Sequence, residues 1–101
     1  ELKCPDEHFP HEAFEAAGYV HRHNHGMKSY NGVAIISRLP FVETDIKNFC
    51  GKDDRRHCMA KFENGVELHN FYIPAGGDEP DATINEKFAH KLSFLDEMTI
   101  W

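Results

Sequence analysis

His57-Cys-Met-Ala-Lys-Phe-Glu-Asn-Gly-Val-Glu-Leu-His-Asn-Phe-Tyr-Ile73 reads as two strands about a turn. Asn64-Gly65 lies at its centre, and both residues accept the positive φ that a two-residue hairpin turn demands. The pattern predicts strands over His57–Glu63 and Val66–Ile73. Side chains alternate across a strand, so Val66, Leu68, Asn70 and Tyr72 share one face and Glu67, His69, Phe71 and Ile73 the other. Tyr72 thus stands at a strand end, where Pro74-Ala-Gly-Gly77 breaks the ladder. Such ends, opening into Gly/Pro loops, are where sheets place functional groups.

Working outward, Val33–Ser37 is apolar on both faces apart from Ser37, which predicts a strand in the interior of a covered sheet. Phe41–Ile46 is a weaker strand suited to an edge, and Gly51–Arg56 is a charged loop. Pro10–Ala17 predicts a short helix: Phe9, Ala13, Phe14 and Ala17 recur at helical spacing, and Gly18 suits its C-terminal cap. Tyr19–His25 alternates, putting His21, His23 and His25 on one face, expected at an exposed edge. After the loop Pro74–Asp81, Thr83-Ile-Asn-Glu86 offers a capping box for a last helix with Phe88, Leu92, Leu95 and Met98 on its apolar stripe. No repeat, low-complexity tract or linker interrupts the chain. The expected architecture is therefore α+β: a helix, several mostly antiparallel strands and a second helix in one layered unit.

Glu1 starts the chain without a Met or a strand before it, and the last apolar pattern runs through Ile100 and Trp101 with no stop signal. Residues 1–101 are expected to be a single partial domain. Composition fits a globular protein, with 41% hydrophobic and 28% charged residues. The longest apolar run, Val33-Ala-Ile-Ile36, falls far short of a bilayer span, so no membrane partner is expected. Cys4, Cys50 and Cys58 are an odd set at irregular spacing, which argues for reduced thiols in a cytoplasmic compartment. A net charge of -6 opposes nucleic acid on average. The cations nevertheless gather at Lys3, at Lys28 and at Lys52-Asp-Asp-Arg-Arg56.

Glu1 and Lys3 put a carboxylate and an amine on one side of an extended segment, and a carboxylate so placed suits Mg²⁺, which keeps waters and leaves room for phosphate. The face bearing His21, His23 and His25 offers a competing idea, a non-catalytic binding module holding Zn²⁺ through imidazoles. No acid lies close in sequence to orient those rings.

Taken in order, Glu1-Leu-Lys-Cys4, Tyr30-Asn-Gly-Val-Ala-Ile-Ile-Ser-Arg38, Arg55-Arg-His-Cys-Met-Ala60 and Asn70-Phe-Tyr-Ile-Pro-Ala-Gly-Gly77 resemble the bacterial exonuclease III family of DNA-repair nucleases, and Phe88-Ala-His-Lys-Leu-Ser-Phe-Leu95 resembles the helix that follows. The resemblance implies a four-layer αββα sandwich, of which this chain supplies the N-terminal part without the first strand. It implies a Mg²⁺-dependent phosphodiesterase, with Mn²⁺ as a substitute, acting on duplex DNA at abasic sites or 3′ ends. By the same resemblance Glu1 is a metal ligand, and Lys3, Lys28, Ser29, Tyr30, Asn31 and Arg56 face DNA, where such groups fix register without reading bases. Tyr72 is the active-site phenol that binds the scissile phosphate. The family's Gly-Asp-x-Asn and Asp-His motifs do not occur here, so the isolated chain is expected to be inactive.

Overall fold

The computed structural model describes residues 1–101, which divide into two compact units. One comprises Glu1–Lys47 with Asp54–Tyr72, the other Asn48–Asp53 with Ile73–Trp101. The α+β expectation holds, with two antiparallel sheets and two helices. No helix is long and apolar enough to cross a membrane.

In the larger unit, a 3₁₀ turn over Asp6–His8 leads to helix α1 (His11–Ala16). Gly18, at φ 94°, closes α1: its N–H donates to the Glu15 carbonyl and that of Tyr19 to Phe14, a Schellman pair that satisfies the last carbonyls. Strands β1 (His21–His25) and β2 (Val33–Ser37) pair antiparallel, His21 opposite Ser37 and His25 opposite Val33. The second sheet runs β3 (Phe41–Asp45), β4 (His57–Phe62), β5 (Glu67–Phe71), with β3 at the edge as expected and a bulge between Phe41 and Glu43.

The two sheets stack, supplying the ββ layers of the expected sandwich. Val33 and Ile35 from one meet Cys58 and Ala60 from the other in a buried cluster, with Phe41 and Tyr72 packed against it. Burial alone pushes the Cys58 thiol up to about 12. Cys58 is thus a core hydrophobe rather than a nucleophile.

Five local expectations change. The hairpin forms, but its loop is Glu63-Asn64-Gly65: the Gly65 N–H donates to the Phe62 carbonyl, and only Gly65 adopts positive φ, at 85°. That is the type I turn plus bulge geometry, and the Asn64 side chain accepts from the Val66 N–H instead of turning its own backbone left-handed. β2 is not flanked on both sides; it pairs only with β1, and its buried residues, Val33 and Ile35, lie on the one face turned to the second sheet.

The face bearing His21, His23 and His25 is likewise turned inward rather than set at an exposed edge. His23 Nε2 lies 3.0 Å from the Asp45 carbonyl oxygen, His25 Nδ1 is 3.4 Å from that of His57, and the His21 ring meets the edge of Phe41. The pairing of His25 with Val33 and His23 with Ile35 dictates this, since register carries all odd residues to the core side together.

The smaller unit holds helix α2 (Glu86–Ile100). Its cap is Asn85, two residues beyond the expected Thr83: the Asn85 Oδ1 accepts from the N–H groups of Lys87 and Phe88. Thr83 instead donates its N–H and hydroxyl to Asp81 Oδ1, which makes the turn that delivers Asn85. Phe94, fully buried, stacks obliquely on Phe49 at 4.6 Å, and Glu97 accepts from the Cys50 N–H. Leu92 and Ile100, assigned to an apolar stripe or its continuation, are exposed.

Candidate active site

At its first residues the chain runs beside the Asn31-Gly32 turn: the Leu2 N–H donates to the Gly32 carbonyl and that of Lys3 to Asn31, each at 2.9 Å. This contact holds the Glu1 side chain. Glu1 Oε2 accepts from the Asn31 N–H at 2.9 Å, and the Lys3 ammonium lies 3.7 Å from Oε1. The backbone N–H from Asn31, with Lys3 adding less, holds the Glu1 carboxyl below its ordinary range. A carboxylate kept ionised this way is a hard oxygen donor.

Asn31 passes the anchoring on. Its Nδ2 donates to the Asp54 carbonyl at 2.8 Å, while the Gly32 N–H donates to the Arg55 carbonyl at 3.0 Å. Asp54 Oδ2 takes the Arg56 Nε–H at 2.6 Å, a charge-assisted bond between side chains only 17% and 15% exposed. Arg56 then reaches Tyr72: its guanidinium carbon stands 5.0 Å over the phenol ring, and Nη1 donates to the Tyr72 carbonyl at 3.3 Å. The Tyr72 N–H returns a bond to the Arg56 carbonyl at 2.7 Å, extending the β4/β5 pairing one step past β5. Glu1 and Tyr72 are thereby ends of one continuous set of contacts.

The loop between the sheet and this network presents Lys28, Ser29 and Tyr30 to solvent, with Tyr30 69% exposed. Ser29 takes φ 68° and the Tyr30 N–H bonds back to the Lys28 carbonyl at 2.8 Å, a γ-type turn that pushes the phenol outward. Its stem is fixed at Gly26, whose N–H donates to Asp6 Oδ1 at 2.6 Å and whose carbonyl accepts from Arg55 Nη1 at 2.8 Å. A Cβ at Gly26 would run into the Cys4 carbonyl oxygen, so only glycine fits.

The structure thus brings together Glu1, Lys3, Asn31, Arg56 and Tyr72 and leaves Lys28, Ser29 and Tyr30 exposed alongside. Asn31 braces Glu1, and Arg56 is engaged with Asp54 and Tyr72. Sequence reasoning missed Asp54 and Asp6. The available signal was an acid two residues before Arg56; for Asp6 there was none, because its partners Asn24 and Gly26 are distant in sequence. His21, His23 and His25 are spread along the inner face with separate partners, and no three His, Cys, Asp or Glu side chains converge as a metal cluster. Glu1 fits one ligand of a hard divalent cation, which needs as few as one or two carboxylates beside water and phosphate.

The profile of the Endonuclease/Exonuclease/phosphatase family matches residues 1–101. An AP endonuclease structure from Archaeoglobus fulgidus is 30% identical with a TM-score of 0.80, over 97% of this chain and 36% of that one. A 3′ phosphatase from Neisseria, bound to product DNA hairpin, is 33% identical with a TM-score of 0.69, over 98% and 40%. A 3′-5′ exonuclease from Neisseria meningitidis is 32% identical with the same TM-score and the same coverage. This chain therefore spans 36–40% of the length of these structures. A search of curated proteins returns no match.

Proposed function

The chain belongs to the endonuclease/exonuclease/phosphatase family, and from that premise we propose that it supplies the phosphate-facing part of a metal-dependent DNA phosphodiesterase of the exonuclease III type, cutting beside abasic sites or trimming 3′ ends. The observation that carries the reading is the unbroken run of contacts from Glu1 through Asn31, Asp54 and Arg56 to Tyr72, beside an exposed Lys28-Ser29-Tyr30 loop. The similar structures support it, being described as a 3′ phosphatase with DNA product, a 3′-5′ exonuclease and an AP endonuclease.

In this reading Lys28, Ser29 and Tyr30 meet the DNA backbone, where a cation and an aromatic set register. Lys3 lies beside Glu1 and adds positive charge facing phosphate. Tyr72 donates its hydroxyl to a non-bridging phosphate oxygen and so favours the charge that builds there in the transition state. Glu1 is the carboxylate that would hold Mg²⁺ or Mn²⁺; such an ion supplies Lewis-acid polarisation of phosphate and a water of lowered pKa. We propose a cytoplasmic location, in keeping with an odd number of cysteines, Cys4, Cys50 and Cys58, at irregular spacing.

The test is cleavage of duplex DNA carrying one abasic site or a recessed 3′ end, by the full-length protein that contains these residues. Product should form with Mg²⁺ and not with EDTA, and Tyr72→Phe should cost about 100-fold in kcat, the scale of one transition-state donor. Unchanged rates in both Tyr72→Phe and Glu1→Ala would sink the assignment.

A further inference from the structure

Arg56 is the cation that a phosphate-binding site would be expected to present, and its geometry says otherwise. Its Nε is committed to Asp54 at 2.6 Å, its Nη1 to the Tyr72 carbonyl, and its flat face to the Tyr72 ring. The side chain is 15% exposed. A guanidinium used on its edge and its face by the protein is a fixture of the site more than a docking point for a mobile phosphate.

Backbone conformation points the same way. Five non-glycine residues take positive φ, and four of them, Lys3, Ser29, Asn31 and Arg55, lie in this one cluster. Each such conformation costs on the order of 1 kcal/mol and persists only where surrounding contacts over-determine it. Arg55, at φ 55°, turns the chain so that the Asp54 carboxylate folds back onto Arg56. Asn31, also at 55°, turns its N–H to Glu1 and its amide to the Asp54 carbonyl.

We propose that Asp54 and Arg56 are positioning residues: Asp54 holds Arg56 over Tyr72 by its carboxylate, and holds the Asn31 turn, hence Glu1, by its carbonyl. The pair sets where the phenol stands relative to the carboxylate and does not itself bind phosphate. The inference rests on the nuclease reading for its consequence in catalysis, but not for the contacts it asserts.

Two measurements separate those layers. Without DNA, the ring resonances of Tyr72 are followed by NMR in Asp54→Asn and Arg56→Lys. The positioning role expects both to move, because the amide weakens the bond to Arg56 and the ammonium lacks the planar fork. Unmoved Tyr72 resonances in either variant overturn the proposal, whatever the protein does to DNA.

With the full-length protein, binding to abasic duplex is measured across salt concentrations. A phosphate contact would tolerate Arg56→Lys and lose about one unit of salt slope in Arg56→Ala. Positioning expects the slope unchanged, Arg56→Lys as poor as Arg56→Ala in kcat, and Asp54→Asn with Arg56→Lys no worse than either alone. A slope reduced by about one in Arg56→Ala, with Asp54→Asn silent, refutes positioning. Absence of any DNA binding by the unaltered protein counts against the nuclease reading alone, and the resonances still decide the contacts.

Discussion

Arg56 and His57 are neighbours in sequence, both largely buried, and they meet opposite electrostatic fates. The Arg56 charge is matched in place: the Asp54 carboxylate sits 2.6 Å from Nε and the Tyr72 ring lies under the guanidinium. His57, on the opposite face of the hairpin and 1% exposed, has Nδ1 3.0 Å from the Lys47 backbone nitrogen and Nε2 2.9 Å from His69 Nδ1. The Lys47 N–H donates to Nδ1, so the neutral ring carries its proton on Nε2 and donates it to His69. His69 in turn has its Nε2 3.3 Å from Glu67. Burial first, and then the neighbouring His69 imidazole, hold the His57 value down to about 4. Alternation along the chain sends adjacent residues to opposite faces, and the groups waiting on each face decide whether a charge there is matched or disfavoured.

The sharpest way to break this contrast is to remove the acid. Asp54→Ala leaves a mostly buried guanidinium unpaired, and should cost about 3 kcal/mol of stability in urea unfolding, since uncompensated buried charge is the expensive state. A loss under about 1 kcal/mol would show that Arg56 finds solvent and that the two faces are not so different.

Acid probes the other face. His57 stays neutral when folded down to about pH 4 but titrates near 6.5 when unfolded, so the unfolded chain takes up the proton first. Stability from this site is complete above 6.5 and falls as pH drops from 6.5 toward 4, by about 2–3 kcal/mol. His69, His23 and His25 oppose the charge on His57 and Asp45 favours it. Unfolding midpoints at several pH values should show the decline, and His57→Asn, whose Oδ1 replaces the accepting Nδ1, should flatten it. An equally steep decline in that variant would place the proton uptake elsewhere. At the solvent end of the same stack, Glu67→Gln removes an exposed partner of His69 and should change stability by no more than about 0.5 kcal/mol.

How much of this contrast the sequence showed follows from the range of each interaction. The hairpin, the short helix with its Gly18 cap and the edge strand β3 rest on local propensity, and appear where expected. Tyr72 at a strand end follows from alternation. The Asn64 turn type and the Asn85 cap depended on which of several competent polar side chains bonded first, a choice propensity leaves open. The spacing of Asp54 two residues before Arg56 hinted at their pairing but not at its reach, because the rest of its value comes from Asn31, 23 residues away, and Asn31 matters because it holds Glu1, another 30 away. The histidine face was misplaced for a related reason: alternation groups His21, His23 and His25, and only the second sheet tells which way the group turns.

The smallest effect concerns Glu1, where two causes of one shift can be told apart. The Asn31 N–H is the larger and the Lys3 ammonium the lesser, as geometry requires: one is a 2.9 Å hydrogen bond from a fixed backbone, the other a 3.7 Å contact from a flexible side chain 64% exposed. A carboxyl lowered on folding adds stability above its unfolded value, and that contribution fades as pH falls through the folded one. Lys3→Ala should therefore leave the Glu1 carboxyl still below 4.5 in a carbon-detected NMR titration. Asn31→Ala, which removes the amide that ties the turn to Asp54, should let it rise toward 4.5. If Lys3→Ala alone restored the ordinary value, the carboxylate would be held by its charged neighbour and not by the turn. The line of contacts from Glu1 to Tyr72 would then begin at Asn31, with Glu1 outside it.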